Sequence, residues 1–254
     1  MNENKERLVA FFEDLDSVDS TNSRARRYAE EGGEAPALFV ARSQTAGRGR
    51  MGRSFFSPDG TGLYYSLLLP CPEKMEDALR LTSASAVAAV DAIEAVFGIR
   101  TAIKWVNDIY LGGKKLAGIL AESFSAGGRK YALVGIGINL YTECFPEELA
   151  DIAVSLCPGM NGEEAEQKRL DLISRLTEWL IAFAEDPAAT DYLARYREYS
   201  LVLGKSVRFT QNGVTREGVA EEIDGMGALT VRLSDGTRQL LSSGEITLRV
   251  QSKS

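Results

Sequence analysis

Residues 45 to 53, TAGRGRMGR, carry the densest group of residues in the chain that could do chemistry. Arg48, Arg50 and Arg53 are set between three glycines. Glycine lets a backbone approach a ligand closely, and arginine presents a planar fork of donors that fits carboxylate and phosphate oxygens. The segment therefore predicts a loop that closes over an anion.

The spacing Gly47-x-Gly49-x-x-Gly52 matches the dinucleotide-binding pattern in form only. That pattern requires a helix directly after the glycines. The residues that follow here, SFFSPDGTG, are typical of turns instead. The P-loop pattern is absent as well, because no Gly-Lys-Ser/Thr follows. We therefore expect an anion site of another kind.

A second segment, KWVND (104–108), joins two predicted strands and places Asn107 and Asp108 at the turn between them. Both residue types are common in turns for conformational reasons alone. Because the chain also contains a cationic loop, Asn107 and Asp108 become candidates for contact with a ligand. Lys104, at the end of the preceding strand, is a candidate for the same reason.

Two glycine-containing strands complete the set. In GGKKLAGIL (112–120) Lys115 enters a buried strand directly, so its ammonium can reach an internal anion site, whereas Lys114 is expected at a hairpin tip. In GIGINL (135–140) the glycines leave one strand face bare, and Asn139 ends the strand with an amide that donates and accepts. Packing alone could explain these glycines; a flat ring lying over them would explain them equally.

Composition narrows the class further. The chain has 254 residues, a net charge of −7, three cysteines and no histidine. Without histidine, a Ser–His–Asp triad and a histidine metal site are excluded. The acidic balance argues against binding nucleic acid through bulk charge. The cysteine usage and the lack of a secretory or membrane-spanning segment predict a soluble, cytoplasmic protein with no membrane contact.

The elements that must position these residues follow from periodicity and turn signals. We expect a helix after Asp19 and Ser20, ending at Gly32–Gly33. Antiparallel neighbours are predicted at 108–111, 115–123 and 130–140. The remaining elements are strands at 36–41, 61–70 and 100–105 and helices at 75–97, 163–183 and 188–199.

The sequence pattern changes after residue 203, from long helical and strand segments to short alternating ones. Five short alternating segments, separated by turns such as Asn212–Gly213 and Asp235–Gly236, predict a small separate barrel. The predicted domains are residues 1–203, which carry the candidate site, and residues 204–254.

The motifs together resemble those of the biotin protein ligases. STN (20–22), Q-TAGRGRMGR (44–53), KWVND, KLAGIL (115–120) and GIGIN (135–139) occur in that family's order. The resemblance implies an α+β fold, with a mixed or antiparallel central sheet flanked by helices as in class II aminoacyl-tRNA synthetases. It also implies an SH3-like barrel at the carboxyl end.

The resemblance implies an activity as well. A ligase of this family uses ATP with Mg²⁺ to convert biotin to biotinyl-5′-AMP. It then transfers biotin to a lysine of the biotin carboxyl carrier protein of acetyl-CoA carboxylase. ATP, Mg²⁺ and biotin enter as substrates, and neither a tightly bound prosthetic group nor a protein-built metal site is expected.

Site roles follow from the same resemblance. The catalytic residues would be Lys115, Arg48 and Asp108. Biotin would be bound by Ser20, Thr21, Asn22, Gln44, Gly47, Arg48, Gly49, Arg50, Lys115 and Gly118. The nucleotide would be bound by Arg50, Arg53, Phe55, Lys104, Asn107 and Asn139.

Three departures from the family pattern stand out. Val106 replaces the usual proline, and Phe55 replaces a common tryptophan. Only about fifteen residues precede the biotin motifs, too few for the helix-turn-helix domain of repressor-type members. We therefore expect a ligase-only form that does not bind DNA. The resemblance also allows a homodimer formed through a sheet edge.

Other functions remain open on sequence grounds. A lipoate or octanoate ligase or transferase of the same superfamily should share the fold. The transferase branch needs a cysteine nucleophile, and Cys71, Cys144 and Cys157 lie outside the motifs. An RNA-binding module would also combine an arginine–glycine loop with a small barrel. A biotin-binding protein without catalysis is a third alternative.

Overall fold

Seven strands form the larger of two sheets in the computed structural model, which describes residues 8–71, 78–188, 191–211, 213–242, 244 and 246–248. Their order is β1-β2-β3-β7-β6-β5-β4. They are β1 (Phe11–Val18), β2 (Ala37–Gln44), β3 (Gly62–Pro70), β4 (Ala102–Lys104), β5 (Asp108–Leu111), β6 (Lys114–Ala126) and β7 (Arg129–Asn139). β1 and β2 are parallel, whereas the other neighbours are antiparallel. The predicted mixed sheet is confirmed.

Two glycine pairs connect the strands predicted to be antiparallel neighbours. Gly112–Gly113 joins β5 to β6 and Gly127–Gly128 joins β6 to β7, and all four residues have positive φ. Glycine adopts this conformation without a Cβ penalty, which makes such pairs suited to tight hairpins. The prediction for these three strands is confirmed.

Helices cover both faces of this sheet. They are α1 (Thr21–Glu30), α2 (Ala78–Phe97), α3 (Glu147–Ala150), α4 (Gly162–Glu185) and α5 (Tyr192–Glu198). α2 and α4 share a core with one face, through residues such as Tyr65 and Ile136. α1 packs Ala25 and Ala29 against Phe39 on the other face. Because α1 covers only part of that face, room is left there for a site.

The predicted helices agree with the structure where it describes them, except that α5 begins at Tyr192 and not at the predicted residue 188. α1 begins after Ser20, as expected, although the Ser20 side chain makes no capping hydrogen bond. The first residues of the predicted helix 75–97 lie outside the described residues, and so do residues 189–190 of the helix predicted at 188–199. No helix in the described ranges is long and apolar enough to cross a bilayer.

A second, five-stranded antiparallel sheet follows in the order β11-β10-β9-β8-β12. Its strands are β8 (Ser206–Gln211), β9 (Val214–Ile223), β10 (Leu229–Leu233), β11 (Arg238–Leu241) and β12 (Ile246–Leu248). The five predicted strands are confirmed, except that Asn212, Glu245 and residues 249–254 lie outside the described part. A closed SH3-like barrel and the boundary at 203 stay predictions.

The two sheets share one hydrophobic core. Phe209 and Val231 of the second sheet belong to the same buried cluster as Val87 of α2. Trp105 Nε1 donates to the carbonyl oxygen of Gly227 at 2.9 Å. Residues just after β4 are therefore held directly by the second sheet.

Sequence periodicity missed β1, α3 and a 3-10 turn at Arg50–Gly52, and it overextended α5 and β4. β1 was not predicted, because its segment FFEDLDSV is acidic and only half-buried. The four-residue α3 was too short to show a period. β4 covers three residues, not the six expected at 100–105.

Candidate active site

The candidate site is a row of small residues across the uncovered part of the sheet. Strand register aligns Asp108 with Gly118, Gly118 with Gly137 and Gly137 with Tyr64. Side chains alternate along a strand, so Gly135 lies on the same face, where it pairs with Ser66. The glycines thus leave a shallow floor between flanking polar groups.

A cavity lies over this floor and collects most of the predicted site residues. Those lining it are Ser20, Thr21, Asn22, Gln44, Arg48, Gly49, Arg50, Arg53, Phe55, Asn107, Asp108, Lys115 and Gly118. With Gly135 and Gly137, residues from all five motifs therefore meet at one place.

One end of the cavity is a neutral hydrogen-bond network. Gln44 Oε1 accepts from the backbone N–H of Thr21 at 2.9 Å and lies 3.2 Å from its hydroxyl. Gln44 Nε2 donates to Ser57 Oγ at 3.0 Å, which fixes the orientation of the amide. Ser66 Oγ lies 2.8 Å from Thr21 Oγ1 and 2.5 Å from Asn22 Oδ1. Such an end can read the edge of a neutral polar ring.

Asn22 keeps an unused donor at this end. Asn22 is only 4% exposed, yet its Nδ2 has no hydrogen-bond partner among the described residues. Buried amides are normally satisfied, so this group is available to a ligand acceptor. A Cβ on Gly135 would come 2.2 Å from Asn22 Oδ1. Glycine at 135 is therefore what gives the Asn22 amide its place.

The other end is ionic. Lys115 Nζ lies 2.6 Å from Asp108 Oδ1, and both side chains are partly exposed to the cavity. Lys114 points away and donates to the carbonyl oxygen of Ala150 at 2.7 Å. Neighbours on a strand face opposite sides, which explains why only one of the two lysines enters the site.

The arginine–glycine loop folds over the cavity. Arg50 Nη1 donates to Asn107 Oδ1 at 3.0 Å, and Asn107 Nδ2 donates to the carbonyl oxygen of Ile119 at 3.1 Å. Within the loop, Gly49 N–H donates to the carbonyl oxygen of Arg53 at 2.7 Å. Arg50 is thus tied to the turn that also carries Asp108.

Arg48 lies in a second ionic cluster that the sequence did not reveal. Its Nη2 lies 3.5 Å from Glu122 Oε1, and Arg26 Nη2 lies 3.7 Å from Glu122 Oε2. Arg26 also sits 4.0 Å above the centre of the Phe124 ring. Glu122 therefore joins the loop to α1. Because Glu122 lies outside the motifs, the sequence did not identify it as a site residue.

Phe55 supplies the flat ring at the glycine floor. A Cβ on Gly137 would come 2.6 Å from Phe55 Cε1, and one on Gly118 would come 3.5 Å from Cε2. The ring packs edge-on against Tyr64, with centroids 6.5 Å apart. The sequence predicted that a ring could lie over these glycines; in this structure that ring belongs to the protein.

Three predicted site residues lie outside the cavity lining. Asn139 is buried and donates from Nδ2 to the carbonyl oxygen of Val154 at 3.2 Å. Lys104 Nζ donates to the Tyr110 hydroxyl at 3.2 Å. Gly47 accepts the N–H of Phe55 through its carbonyl. Their predicted roles toward biotin or nucleotide stay predictions without support from this geometry.

The cavity is also lined by residues to which the sequence assigned no binding role, namely Ser54, Tyr64, Tyr65, Ile119, Leu120 and Ile136, and by Gly135 and Gly137 of the predicted bare strand face. Burial raises the pKa of both Tyr64 and Tyr65 far above the usual range, so their hydroxyls stay neutral. Tyr64 donates to the carbonyl oxygen of Pro58 at 2.9 Å. Neither tyrosine is then suited to act as a base at neutral pH.

Two family models match the chain. The model of the biotin/lipoate A/B protein ligase family matches residues 15–139. The model of the biotin protein ligase C terminal domain matches residues 202–249. The first covers the candidate site and the second covers the smaller sheet.

Individual relatives agree with both models. The bifunctional ligase/repressor BirA of Bacillus subtilis is 34% identical over 239 residues, covering 90% of this chain and 71% of the relative. The biotin–[acetyl-CoA-carboxylase] ligase of Paracoccus denitrificans is 33% identical over 245 residues, covering 91% and 98%. The structure of Aquifex aeolicus biotin protein ligase with biotin and ATP superposes with a TM-score of 0.77 at 30% identity, covering 94% and 98%.

The fold, the cationic cavity and these similarities define the class: the chain belongs to the biotin/lipoate A/B protein ligase family. Within that family the C-terminal match and the relatives are those of biotin protein ligases.

Proposed function

We propose that this protein activates biotin with ATP to biotinyl-5′-AMP and transfers biotin to a lysine of a biotin carboxyl carrier protein. The observation that carries this proposal is the convergence of Lys115, Arg48 and Arg50 on one cavity, opposite the neutral network of Thr21 and Gln44. A ligand with a polar ring at one end and an anionic group at the other fits both ends.

In the first step a biotin carboxylate oxygen attacks the α-phosphorus of ATP, and pyrophosphate leaves with Mg²⁺. Both reactants are anions, so the main barrier is electrostatic. Fixed positive groups aimed at the developing charge lower such a barrier. We assign this role to Lys115, supported by Arg48 and Arg50.

Asp108 links the two steps. It lies 2.6 Å from Lys115 Nζ, which keeps the ammonium directed into the cavity. In the second step the amine of the carrier lysine attacks the anhydride carbonyl, and AMP leaves. Asp108 is placed to orient that amine or accept its proton, since the two tyrosines of the lining stay protonated.

The loop gives the intermediate its protection. A mixed anhydride hydrolyses in water, so a site that makes one gains from a cover. Arg50 reaches from the loop to Asn107 across the cavity. The loop therefore both contributes charge and limits access of water.

Lipoate or octanoate is not the favoured substrate. The C-terminal model that matches here is that of biotin protein ligases. Cys71, Cys144 and Cys157 are not among the residues that line the cavity, so the described residues offer no thiol nucleophile there.

The RNA-binding alternative loses support at the smaller sheet. Arg208 pairs with Glu217, while Arg232 and Arg238 both pair with Glu221. These arginines are neutralised by carboxylates of the same sheet. Phosphate contacts would have to break those pairs, and the formal net charge of −7 opposes them.

Biotin-dependent exchange of labelled pyrophosphate into ATP tests the activation step without any carrier. We expect exchange with biotin and none with lipoate. Exchange that depends on lipoate instead would overturn the assignment. The carrier partner, the cytoplasmic location and a homodimer stay predictions alongside this proposal.

A further inference from the structure

The turn of residues 105–108 is held by parts of the molecule outside the motifs. It carries Asn107, the partner of Arg50, and Asp108, the partner of Lys115. The peptide bond between Trp105 and Val106 is cis. The position of this turn decides where two groups of the reaction centre lie.

α5 supplies the first support. The Tyr196 hydroxyl donates to the carbonyl oxygen of Val106 at 2.9 Å, and both residues are buried. Burial raises the pKa of Tyr196 well above its usual range, so the hydroxyl remains a donor. Val106 directly precedes Asn107, so this hydrogen bond acts one residue away from the groups of the reaction centre.

α5 is itself anchored. Arg195 Nη2 lies 2.6 Å from Asp91 Oδ1 of α2, and the Tyr199 hydroxyl donates to the same oxygen at 2.9 Å. These two contacts flank Tyr196 in the sequence. The hydroxyl of Tyr196 is therefore presented from a fixed helix.

The second sheet supplies another support through Trp105. Its Nε1 donates to the carbonyl oxygen of Gly227 at 2.9 Å. That carbonyl belongs to a turn ordered by Asp224, whose Oδ1 accepts from the N–H groups of Met226 and Ala228 at 2.8 and 2.9 Å. The acceptor for Trp105 is thus preformed.

The far half of the turn is held by β6, by Arg50 and by the pairing of Asp108 with β4. The Ile119 N–H donates to the carbonyl oxygen of Asn107 at 3.0 Å, in addition to the side-chain bond already described. Tyr196 and Gly227 hold the near half. Release of the near half removes the support on the Val106 side, and we expect this to shift Asn107 and Asp108.

We propose that Tyr196 is a positioning residue for adenylate formation, acting with the Gly227 carbonyl to hold the turn that carries Asn107 and Asp108. The inference rests on the proposed function. Neither group touches the polar network of Thr21 and Gln44, so binding of the biotin ring does not depend on them. The rate of the chemical step does, because a displacement of about 1 Å at a reacting group can cost about 100-fold.

The test is the first turnover of biotinyl-AMP formation by full-length protein without a carrier, with biotin and ATP saturating and in excess over the enzyme. Its rate constant does not depend on how much of the protein is active, whereas its amplitude does. A merely structural role of Tyr196 would lower the amplitude only. For Tyr196→Phe we expect the rate constant to fall about 10-fold, with an unchanged dissociation constant for biotin.

Tyr192→Phe is the matched control, since Tyr192 is also buried on α5 but its hydroxyl lies near Arg80 at 3.4 Å. It should keep the wild-type rate constant. A Tyr196→Phe rate constant equal to wild type, or an equal fall in both variants, overturns the inference. A wild-type protein that forms no adenylate contradicts the proposed function instead.

Trp105→Phe gives a second route to the same answer and decides the question if Tyr196→Phe does not fold. It removes the donor to Gly227 while retaining an aromatic ring. We expect the rate constant to fall about 3- to 10-fold with unchanged affinity for biotin. An unaltered rate constant in a folded Trp105→Phe protein overturns the inference that the Gly227 carbonyl helps to position the turn.

Discussion

One ion pair concentrates the chemistry at the residue scale. Lys115 is held by Asp108 at 2.6 Å and faces the glycine floor, with its Nζ 3.4 Å from where a Cβ of Gly118 would lie. A Cβ at 118 would be in ordinary contact with the ammonium, so Lys115 lies directly on the glycine floor. The partner carboxylate stays close enough to serve the second step.

Lys115→Ala should reduce biotin-dependent pyrophosphate exchange about 100- to 1000-fold, the range seen when one preorganised electrostatic contact is removed. Lys114→Ala is the matched control: it removes the same charge one residue earlier, from a side chain that contacts Ala150. Exchange should be nearly unchanged in the control. Equal losses in both variants would show that net charge matters and the placement of Lys115 does not.

Residue types and strand entry were enough to predict which lysine enters the site. The same reasoning failed for Asn139. It ends β7 as expected, but its amide donates to the carbonyl oxygen of Val154, which belongs to a later segment. Glu122 and Tyr196 were missed for the same reason. Their roles depend on tertiary contacts with Arg48 and Val106, which no local pattern encodes.

The arginine–glycine loop works at the element scale, between fixed ends. Its base is tied by the Thr45 and Ala46 N–H groups to the carbonyl oxygens of Val18 and Asp19, at 2.9 and 2.8 Å. Its tip carries Met51, at φ 55 and 75% exposed. A fixed base and an exposed tip suit a cover that holds a reactive intermediate.

Arg50→Ala should let biotinyl-AMP escape, because the loop loses its bond to Asn107. The readout is biotin on lysines of an unrelated bystander protein, measured by mass spectrometry. We expect bystander labelling to rise about 10-fold, equivalent to losing one charge-assisted contact of about 1.4 kcal/mol. Met51→Ala, in the same loop, should retain the intermediate; an Arg50→Ala protein that retains it equally well would contradict the role of the loop as a cover.

The start of α1 shows a pH dependence that can be measured. Two hydrogen bonds from Arg27, at 2.8 and 2.9 Å, lower the pKa of Asp19 from 3.8 to about 2. A folded pKa below the unfolded one stabilises the fold at higher pH, and the contribution is lost as the pH falls from about 4 toward 2. Because the pair is nearly half-exposed, water screens it.

Asp19→Asn should therefore lower the free energy of unfolding by about 0.5 kcal/mol at pH 7, and the difference from wild type should vanish near pH 2. Urea denaturation across that pH range is the measurement. The same substitution at the exposed Asp16 controls for loss of an acidic charge. A difference that persists at pH 2 would show that the ion pair is not its cause.

The helices and strands with a clear hydrophobic periodicity were the ones that the sequence predicted. The glycine-bounded strands β5, β6 and β7 and the long helix α4 were predicted correctly. The edge strand β1 was not, because tertiary contacts stabilise it: Asp14 accepts from the buried Arg169 of α4 at 3.0 Å. Such a strand is specified by its neighbours and not by its own alternation.

The two sheets depend on each other at the scale of the whole molecule. Gly227, at φ +87, packs against Leu79 and Ser83 of α2. Trp105 and Arg197 donate to carbonyl oxygens of the second sheet at 2.9 and 2.7 Å. A shared core of this kind predicts cooperative unfolding.

A chain shortened to residues 1–203 should therefore be less stable than the full chain, since Trp105 and Arg197 lose their hydrogen bonds to the second sheet and the shared core loses its buried members from that sheet. We expect the full chain to unfold in one transition. The shortened chain should show a midpoint lower by at least about 5 °C in circular dichroism. An unchanged midpoint would mean that residues 1–203 form an independent folding unit.

The most direct test of the central claim is incubation with biotin, ATP, Mg²⁺ and an unmodified biotin carboxyl carrier domain, followed by intact-mass spectrometry. The account predicts a single biotinyl group on one lysine of the carrier, lost when either ATP or biotin is omitted. A carrier that stays unmodified with biotin while a lipoyl domain accepts lipoate would contradict it.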